Sequence, residues 1–344
     1  MSREPRPGGR SVRMIDVAKL AGVSQQTVSR VVNGHSSVGP DVRERVERAI
    51  AQLRYNRKSA ARALATNRSM NLGVVSYSLP VHGSALVLFG IAEEARCNGY
   101  STSLVSIPQV DSADIRAALD TLVADAVDGI IVLAPMTAAV EVLRGLDPDV
   151  AIVRFEQGSP ASSTAVSMDD VLGARLATRH LIELGHETVW HVGGPPGWMA
   201  SEARRAGWLS ELAAHHRTVN PEFRADDWTA ESGYRAGLEI ADDPSITAVL
   251  VANDSMALGV IKALFERGVH VPDDVSVVGF DDMSESRFFH PSLTTVRLDF
   301  NEVGRLAVER VLRLMGGEPA ELIPVIQPEL MVRGSTAPPD SLTE

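Results

Sequence analysis

Residues 14–33, MIDVAKLAGVSQQTVSRVVN, constrain this chain more than any other stretch. They predict two short helices broken by a tight turn. Ile15, Val17, Ala18, Leu20 and Ala21 give the first helix an apolar side, Gly22 frees the backbone to turn, and Val23 fills the corner. Ser24 stands at the N-cap of the second helix, whose inward residues are Val28, Val31 and Val32. Gln25, Gln26, Ser29 and Arg30 are left facing outward. Two amides and a guanidinium near the start of one helix can form paired hydrogen bonds with base edges in a major groove. A helical hairpin with a solvated polar face would share the spacing. Cap, turn and outward chemistry together favour a DNA reader.

A third helix follows. Gly39-Pro40-Asp41 is a start signal, with Pro at the first helical position and Asp near the positive dipole end. Val42, Val46, Ala49, Ile50 and Leu53 recur at helical spacing and close a three-helix core. Charge indicates what this small unit meets. Residues 1–69 hold 14 Lys+Arg against 5 Asp+Glu, while the remainder holds 19 against 39. The formal net charge of −11 therefore hides a basic head on an acidic body. Such asymmetry favours phosphate binding at one end and discourages adhesion of the other to the duplex.

Residues 59–69, SAARALATNRS, have high helix propensity but are too short to be stable alone in water. Leu64 is the one large apolar side chain there, with Ala61, Ala63 and Ala65 around it. Two readings stay open: an alanine-rich linker, or a hinge helix whose Leu64 wedges a base step in the minor groove.

Taken together, residues 16–24 (DVAKLAGVS), 27–33 (TVSRVVN), 43–56 and 63–65 (ALA) resemble the lactose-repressor/galactose-repressor (LacI/GalR) family of bacterial transcription regulators. The likeness covers nearly the whole chain. It implies a homodimer that reads a near-palindromic operator. The matching DNA-contacting positions are Ser24, Gln25, Gln26, Thr27, Ser29, Arg30, Asn33 and Asn56, with Leu64 as the hinge wedge. Gly39 departs mildly from the pattern, where Ser often precedes Pro; Gly can still occupy a cap.

The other 275 or so residues can bury a substantial core. Short apolar runs at 72–77, 103–107, 129–133, 150–155, 188–192, 248–252 and 275–280 alternate with helical segments such as 171–184, 200–214 and 255–267. That alternation predicts parallel sheets covered on both faces, with ligands beyond the strand carboxyl ends. The expected fold is thus an N-terminal all-α helix-turn-helix domain followed by an α/β effector domain. By resemblance, the latter is periplasmic-binding-protein-like (type I), with two parallel-sheet subdomains around a cleft. The expected domains are 1–58 for DNA binding, 59–69 for the hinge and 70–344 for effector binding and dimerisation, with crossings near 166, 297 and 327.

Cleft chemistry is expected at the strand ends. Asn253-Asp254 and Asp281-Asp282 each follow a strand, Trp228 sits in a polar segment, and Arg204 lies in a helix. Asn, Asp and Arg bind vicinal hydroxyls bidentately, and an indole stacks on the C–H face of a pyranose. By resemblance, Arg204, Trp228, Asn253 and Asp281 match effector-contacting positions. Phe300 matches an aromatic at the crossover, and Glu156 is a weaker match. Family effectors include sugars and purines, and a sugar or oligosaccharide is the favoured small molecule.

Enzyme signals are weak. His186 and His191 share no metal pattern with a carboxylate or Cys, and Gly193-Gly-Pro-Pro-Gly197 lacks the spacing of a dinucleotide or phosphate loop. Cys97 is the sole cysteine, expected as a buried helical thiol. The expectation is no catalysis, no cofactor and no metal. No apolar run approaches the ~20 residues that span a bilayer, and the basic N-terminus does not read as an export signal, so a cytoplasmic, nucleoid-associated protein is expected. The polar, proline-broken last residues predict a dimer rather than a helical tetramer. The function expected is an effector-responsive transcriptional repressor of carbohydrate-utilisation genes. Runners-up are a purine- or other metabolite-responsive repressor and a sugar-binding protein without DNA.

Overall fold

The computed structural model describes residues 14–32, 37–53, 68–77, 82–108, 111–144, 150–158, 160–319 and 321–339. The chain divides into two compact units, 1–69 and 70–344.

In the first unit, α1 (Met14–Ala21), α2 (Gln25–Val32) and α3 (Pro40–Leu53) enclose Val17, Ala18, Ala21, Val28, Val31, Val46 and Ala49. Gly22 has φ +65°, a conformation that only glycine adopts freely, and the turn closes through Val23 N–H donating to the Ala18 carbonyl at 3.0 Å. Ile15 and Leu20 depart from the sequence expectation, being 37% and 45% exposed. Ile15 sits about 200° around α1 from Val17, and Leu20 lies at the edge of the stripe that an eight-residue helix can bury.

The second unit is a doubly wound pair of sheets. The first sheet has the order β2-β1-β3-β4-β5, all parallel. Its strands are β1 (Asn71–Tyr77), β2 (Ser101–Ile107), β3 (Gly129–Leu133), β4 (Ala151–Gln157) and β5 (Ala165–Met168). Helices α4 (His82–Cys97), α5 (Ser112–Ala124) and α6 (Thr137–Arg144) connect them. The second sheet has the order β11-β10-β9-β8-β6-β7, parallel except for the antiparallel β10–β11 pair. It contains β6 (Trp190–Gly193), β7 (Phe223–Arg224), β8 (Ala248–Val251), β9 (Ser276–Asp281), β10 (Thr294–Arg297) and β11 (Glu329–Met331). Its helices are α7 (Asp170–Glu183), α8 (Met199–Ala214), α9 (Ala230–Ala241) and α10 (Asp254–Glu266). Central strands β3 and β9 are buried along their whole length, as strands covered on both faces must be.

The chain passes between subdomains three times. It leaves β5 at Met168 and enters α7 at Asp170. It returns through Leu298 and Asp299 into α11 (Phe300–Met315), which packs on β3, β4 and β5. It crosses again after Ile326, which pairs with Met168, to reach β11. Strands β5, β7, β10 and β11 were not among the runs read from sequence. At two to four residues each, their pairing with neighbours makes them strands; they contain no long apolar run. Cys97 is exposed rather than buried, because it closes the outer end of α4.

Candidate functional site

The outward face of α2 is built from its cap. Ser24 Oγ accepts the Thr27 backbone N–H at 3.1 Å and lies 2.9 Å from Thr27 Oγ1, so both hydroxyls are engaged at the helix start. Gln25, Gln26 and Arg30 are exposed on this helix, while Val28 and Val31 are buried beneath them; Ser29 is half-buried. No acidic residue stands in the first turn of α2. The helix thus presents amides, a guanidinium and its own positive end on one side, a combination suited to polyanionic DNA. Asn33, Asn56 and Leu64 lie outside the described residues.

The second candidate site is a narrow cleft between the subdomains, about 380 Å³ counted out to its open mouth. Arg204, Trp228, Asn253, Asp281 and Phe300 all line it, joined by Phe155, Gln157 and Trp198. Each comes from an element end. Arg204 is in the first turns of α8, and Trp228 lies just before α9. Asn253 caps α10 through its Oδ1, which accepts Met256 N–H at 2.8 Å. Asp281 ends β9, and Phe300 begins α11 behind the Asp299 cap.

Arg204 organises the floor. Its Nε donates to Asp170 Oδ1 at 2.9 Å, one Nη to Asp281 Oδ1 at 3.1 Å, and the other to the Ala252 carbonyl. The guanidinium carbon lies 3.9 Å from the Phe280 ring centroid and 5.7 Å from that of Trp228. Burial opposes the charge of Arg204, but Asp281 and Asp170 outweigh it and raise its pKa. Burial likewise pushes Asp281 up to about 6 and raises Asp170, with Arg204 pulling both back. Asp281 has φ +101° and Asp282 φ +51°. Two successive non-glycine residues in the left-handed region are strained, and such strain gathers at ligand-holding turns.

Asp254 stabilises this turn from below. It accepts hydrogen bonds from Met283 N–H at 2.8 Å, Ser286 Oγ at 2.5 Å and Thr295 Oγ1 at 2.5 Å. Even so, burial raises its pKa to about 7. Trp228 Nε1 in the cleft lining, and Asp170 Oδ2 and Ser201 Oγ buried behind it, have no hydrogen-bond partner among the described residues. Buried polar groups are normally satisfied, so these atoms keep capacity for a hydroxyl or water.

Glu156 is not brought to the cleft. Successive residues of a strand face opposite sides, so Phe155 and Gln157 of β4 line the cavity while Glu156 pairs with Arg154 Nε at 3.0 Å. Asp170 and Trp198 were missed in the sequence. Asp170 follows Asp169, which caps α7, and its place beside the cap carries no local signal of a buried partner. Trp198 stands behind a Gly-Pro-rich loop that read as a turn. Its ring packs edge-on against Trp228 and Tyr77, each at 5.7 Å, and its backbone bridges to Met136 of the first subdomain. His191 is fully buried, and desolvation lowers its pKa to about 4. Its Nδ1 lies 2.9 Å from the Leu250 carbonyl. Among the described residues no cluster of His, Cys, Asp and Glu could hold a metal ion.

Comparison with known proteins shows what both units resemble. Residues 13–58 match the family described as bacterial regulatory proteins, lacI family, and residues 178–336 match a periplasmic binding protein-like domain. The chain is 35% identical over 337 residues to the lactose operon repressor of Escherichia coli K12, covering 96% of this chain and 92% of that protein. It is 32% identical over 328 residues to the transcriptional repressor PurR of Haemophilus influenzae, covering 93% and 97%. Among solved structures, the lac repressor dimer bound to operator and the anti-inducer ONPF superposes with TM-score 0.87 at 33% identity, covering 95% of this chain and all of that one. A complex of the transcriptional regulator CelR with cellobiose gives TM-score 0.68 at 28% identity, covering 94% and 99%.

Proposed function

This chain belongs to the lacI family of bacterial regulatory proteins, and on that premise we propose that it is a homodimeric transcriptional repressor whose operator affinity is set by an uncharged sugar in the cleft. Residues 1–58 read a near-palindromic operator, 59–69 form the hinge, and 70–344 bind effector and dimerise. The protein works in the cytoplasm and carries out no catalysis. No helix among the described residues is long and apolar enough to cross a membrane.

The observation that carries the effector class is the Arg204 lattice. One guanidinium is held between two buried carboxylates, with Asn253 and the Trp228 ring beside it, and among the described residues no second cation lines the cleft. A phosphorylated or otherwise anionic ligand would meet Asp170 and Asp281 without a free cation to match. Vicinal hydroxyls can instead accept from the guanidinium and donate to the carboxylates, while indole faces cover the sugar's C–H surface.

A purine is the second reading, favoured by the aromatic lining of Phe155, Trp198, Trp228 and Phe300, which could sandwich a flat base. A thermal-shift panel of lactose, cellobiose, glucose 6-phosphate and hypoxanthine separates the two. A ligand at about 100 times its Kd stabilises by about 2.7 kcal/mol. Stabilisation by a neutral saccharide, and none by the phosphate, is the expected result. Stabilisation by hypoxanthine alone would replace the sugar with a purine.

Homodimerisation is supported by exposed apolar side chains in the second unit. Leu258 and Phe265 lie seven residues apart on one face of α10, 44% and 75% exposed, and Phe288 on the following 3₁₀ turn is 80% exposed. Exposed large apolar groups can serve an association site, and Lys262 beside Phe265 would lie at its polar edge.

A further inference from the structure

Three chain crossings join the subdomains, and the side chains beside all three converge on one dipeptide, Asp281-Asp282. The first crossing delivers Asp170, which holds Arg204, and Arg204 in turn holds Asp281. The second leaves from Arg297, the last residue of β10, whose Nε donates to Asp282 Oδ2 at 2.7 Å. The third arrives on β11. Two residues beyond that strand, Arg333 donates one Nη to Asp282 Oδ1 at 2.5 Å and the other to the Leu293 carbonyl at 2.8 Å. The Asp282 and Arg333 side chains are 9% and 17% exposed, so this arm is screened less than a surface ion pair, while Arg297 at 45% is the more solvated arm. Arg297 also reaches Glu329 of β11 at 3.5 Å, tying the outgoing and incoming strands to each other.

The backbone explains why this arrangement can transmit a displacement. Asp281 and Asp282 both stand at positive φ, a conformation that persists only where the surroundings over-determine it. Asp254 secures Met283 and Ser286 on one side of the turn, and the two guanidiniums secure Asp282 on the other. The two residues share one rigid peptide plane, so a backbone rotation that carries the Asp281 carboxylate away from Arg204 also carries that of Asp282. Arg297 and Arg333 must then follow or lose their bonds.

We propose that Asp282 is a positioning residue whose carboxylate fastens Asp281 to the second and third crossings, so that a change in what Asp281 contacts resets the two subdomains. This rests on the reading of the cleft as the effector site and deepens it by naming the joint through which occupancy is passed on. Asn at this position keeps the left-handed conformation accessible while removing the charge, which separates the ionic clamp from the backbone geometry.

The test needs no ligand. Spin labels at Asp120→Cys on α5 and Glu239→Cys on α9, both exposed, report subdomain separation in a Cys97→Ser background. Labelled chain is diluted into unlabelled chain so that each pulsed-EPR distance lies within one protomer. Asp281→Asn, which removes the charge that Arg204 holds, should shift the mean distance by on the order of 2 Å. The same substitution should produce no shift when added to Asp282→Asn or to Arg297→Gln/Arg333→Gln. An equal shift in all backgrounds, or none in the first, overturns the proposal. If the double arginine variant fails to fold, the Asp282→Asn background decides alone. Failure of every saccharide in the thermal-shift panel would change the effector class and leave this result standing.

Discussion

At the scale of single residues, the two candidate sites differ in how they can be tested. Arg30→Ala or Gln26→Ala removes a side chain that is exposed and supports no core, so folding should be unaffected. Each should weaken binding to the cognate operator by about 1–3 kcal/mol and to random DNA far less, as read by titration at fixed salt. Equal losses on both sequences would assign these residues to the phosphate backbone. In the cleft, Asp281→Ala removes an acceptor of Arg204 and a charged contact for the effector. It should reduce effector affinity by about 1.5–3 kcal/mol, so that operator affinity, at whatever level the variant sets it, no longer responds to the effector. Operator affinity with and without the saccharide from the panel measures this, and an undiminished response would withdraw Asp281 from the effector contacts. Asp254 and Asp281 also make stability depend on pH. Their folded pKa values, about 7 and about 6, lie above the ordinary 3.8, so the folded state binds more protons than the unfolded one between these limits. Their contribution is therefore fully present below about pH 4 and is lost as pH rises to 7. Asp254→Asn should flatten the part of the Tm profile between pH 6 and 7. An unchanged profile there would mean that Asp254 is ionised throughout.

At the scale of elements, helix packing explains what the composition alone does not. Helices α9 and α10 approach so closely that a Cβ on Gly233 would lie 2.0 Å from the Met256 carbonyl oxygen, and a Cβ on Gly259 closer still to that of Ala230. Backbone cannot move aside as a side chain can, so Gly259→Ala should destabilise by about 1–3 kcal/mol or more. Calorimetry decides it, and a Tm within one degree of the parent would show that the helices separate freely. α10 carries both the Asn253 cap and Asp254, so the same variant should also weaken effector binding. The segment at 59–69 belongs to this scale as well. Leu64→Ala should weaken operator affinity and reduce DNA bending in a phase-sensitive gel assay while effector affinity stays intact. Unchanged bending would leave the segment as a linker.

At the scale of the whole molecule, the proposed dimer rests on the exposed Leu258 and Phe265 of α10 and on Phe288. Leu258→Asp combined with Phe288→Asp should convert a dimer into a monomer in sedimentation equilibrium at micromolar concentration, because burying two unpaired carboxylates costs more than the contact gains. A dimer that survives both changes would move the interface elsewhere.

What was legible in the sequence is what local chemistry decides. The turn glycine, the Ser24 cap and the Val28/Val31 stripe specify a helix-turn-helix within twenty residues, and apolar runs alternating with helices specify parallel sheets. Residues at strand ends, such as Asn253 and Asp281, could be picked out because ligands in such sheets bind beyond those ends. Tertiary structure alone decided which side chains meet. Glu156 and Gln157 are adjacent in sequence, yet the pleat sends them to opposite faces, and only the pairing of β4 with its neighbours settles which one reaches the cleft. Asp170, Asp281 and the Arg333 arm of the Asp282 clamp depend on a fold that brings residues 34 to 77 positions apart within hydrogen-bond distance, and Trp198 meets Tyr77 in the same way; no local pattern encodes such a distance. The short strands β10 and β11 exist for the same reason: their residues are held extended by partners that the chain reaches only after folding.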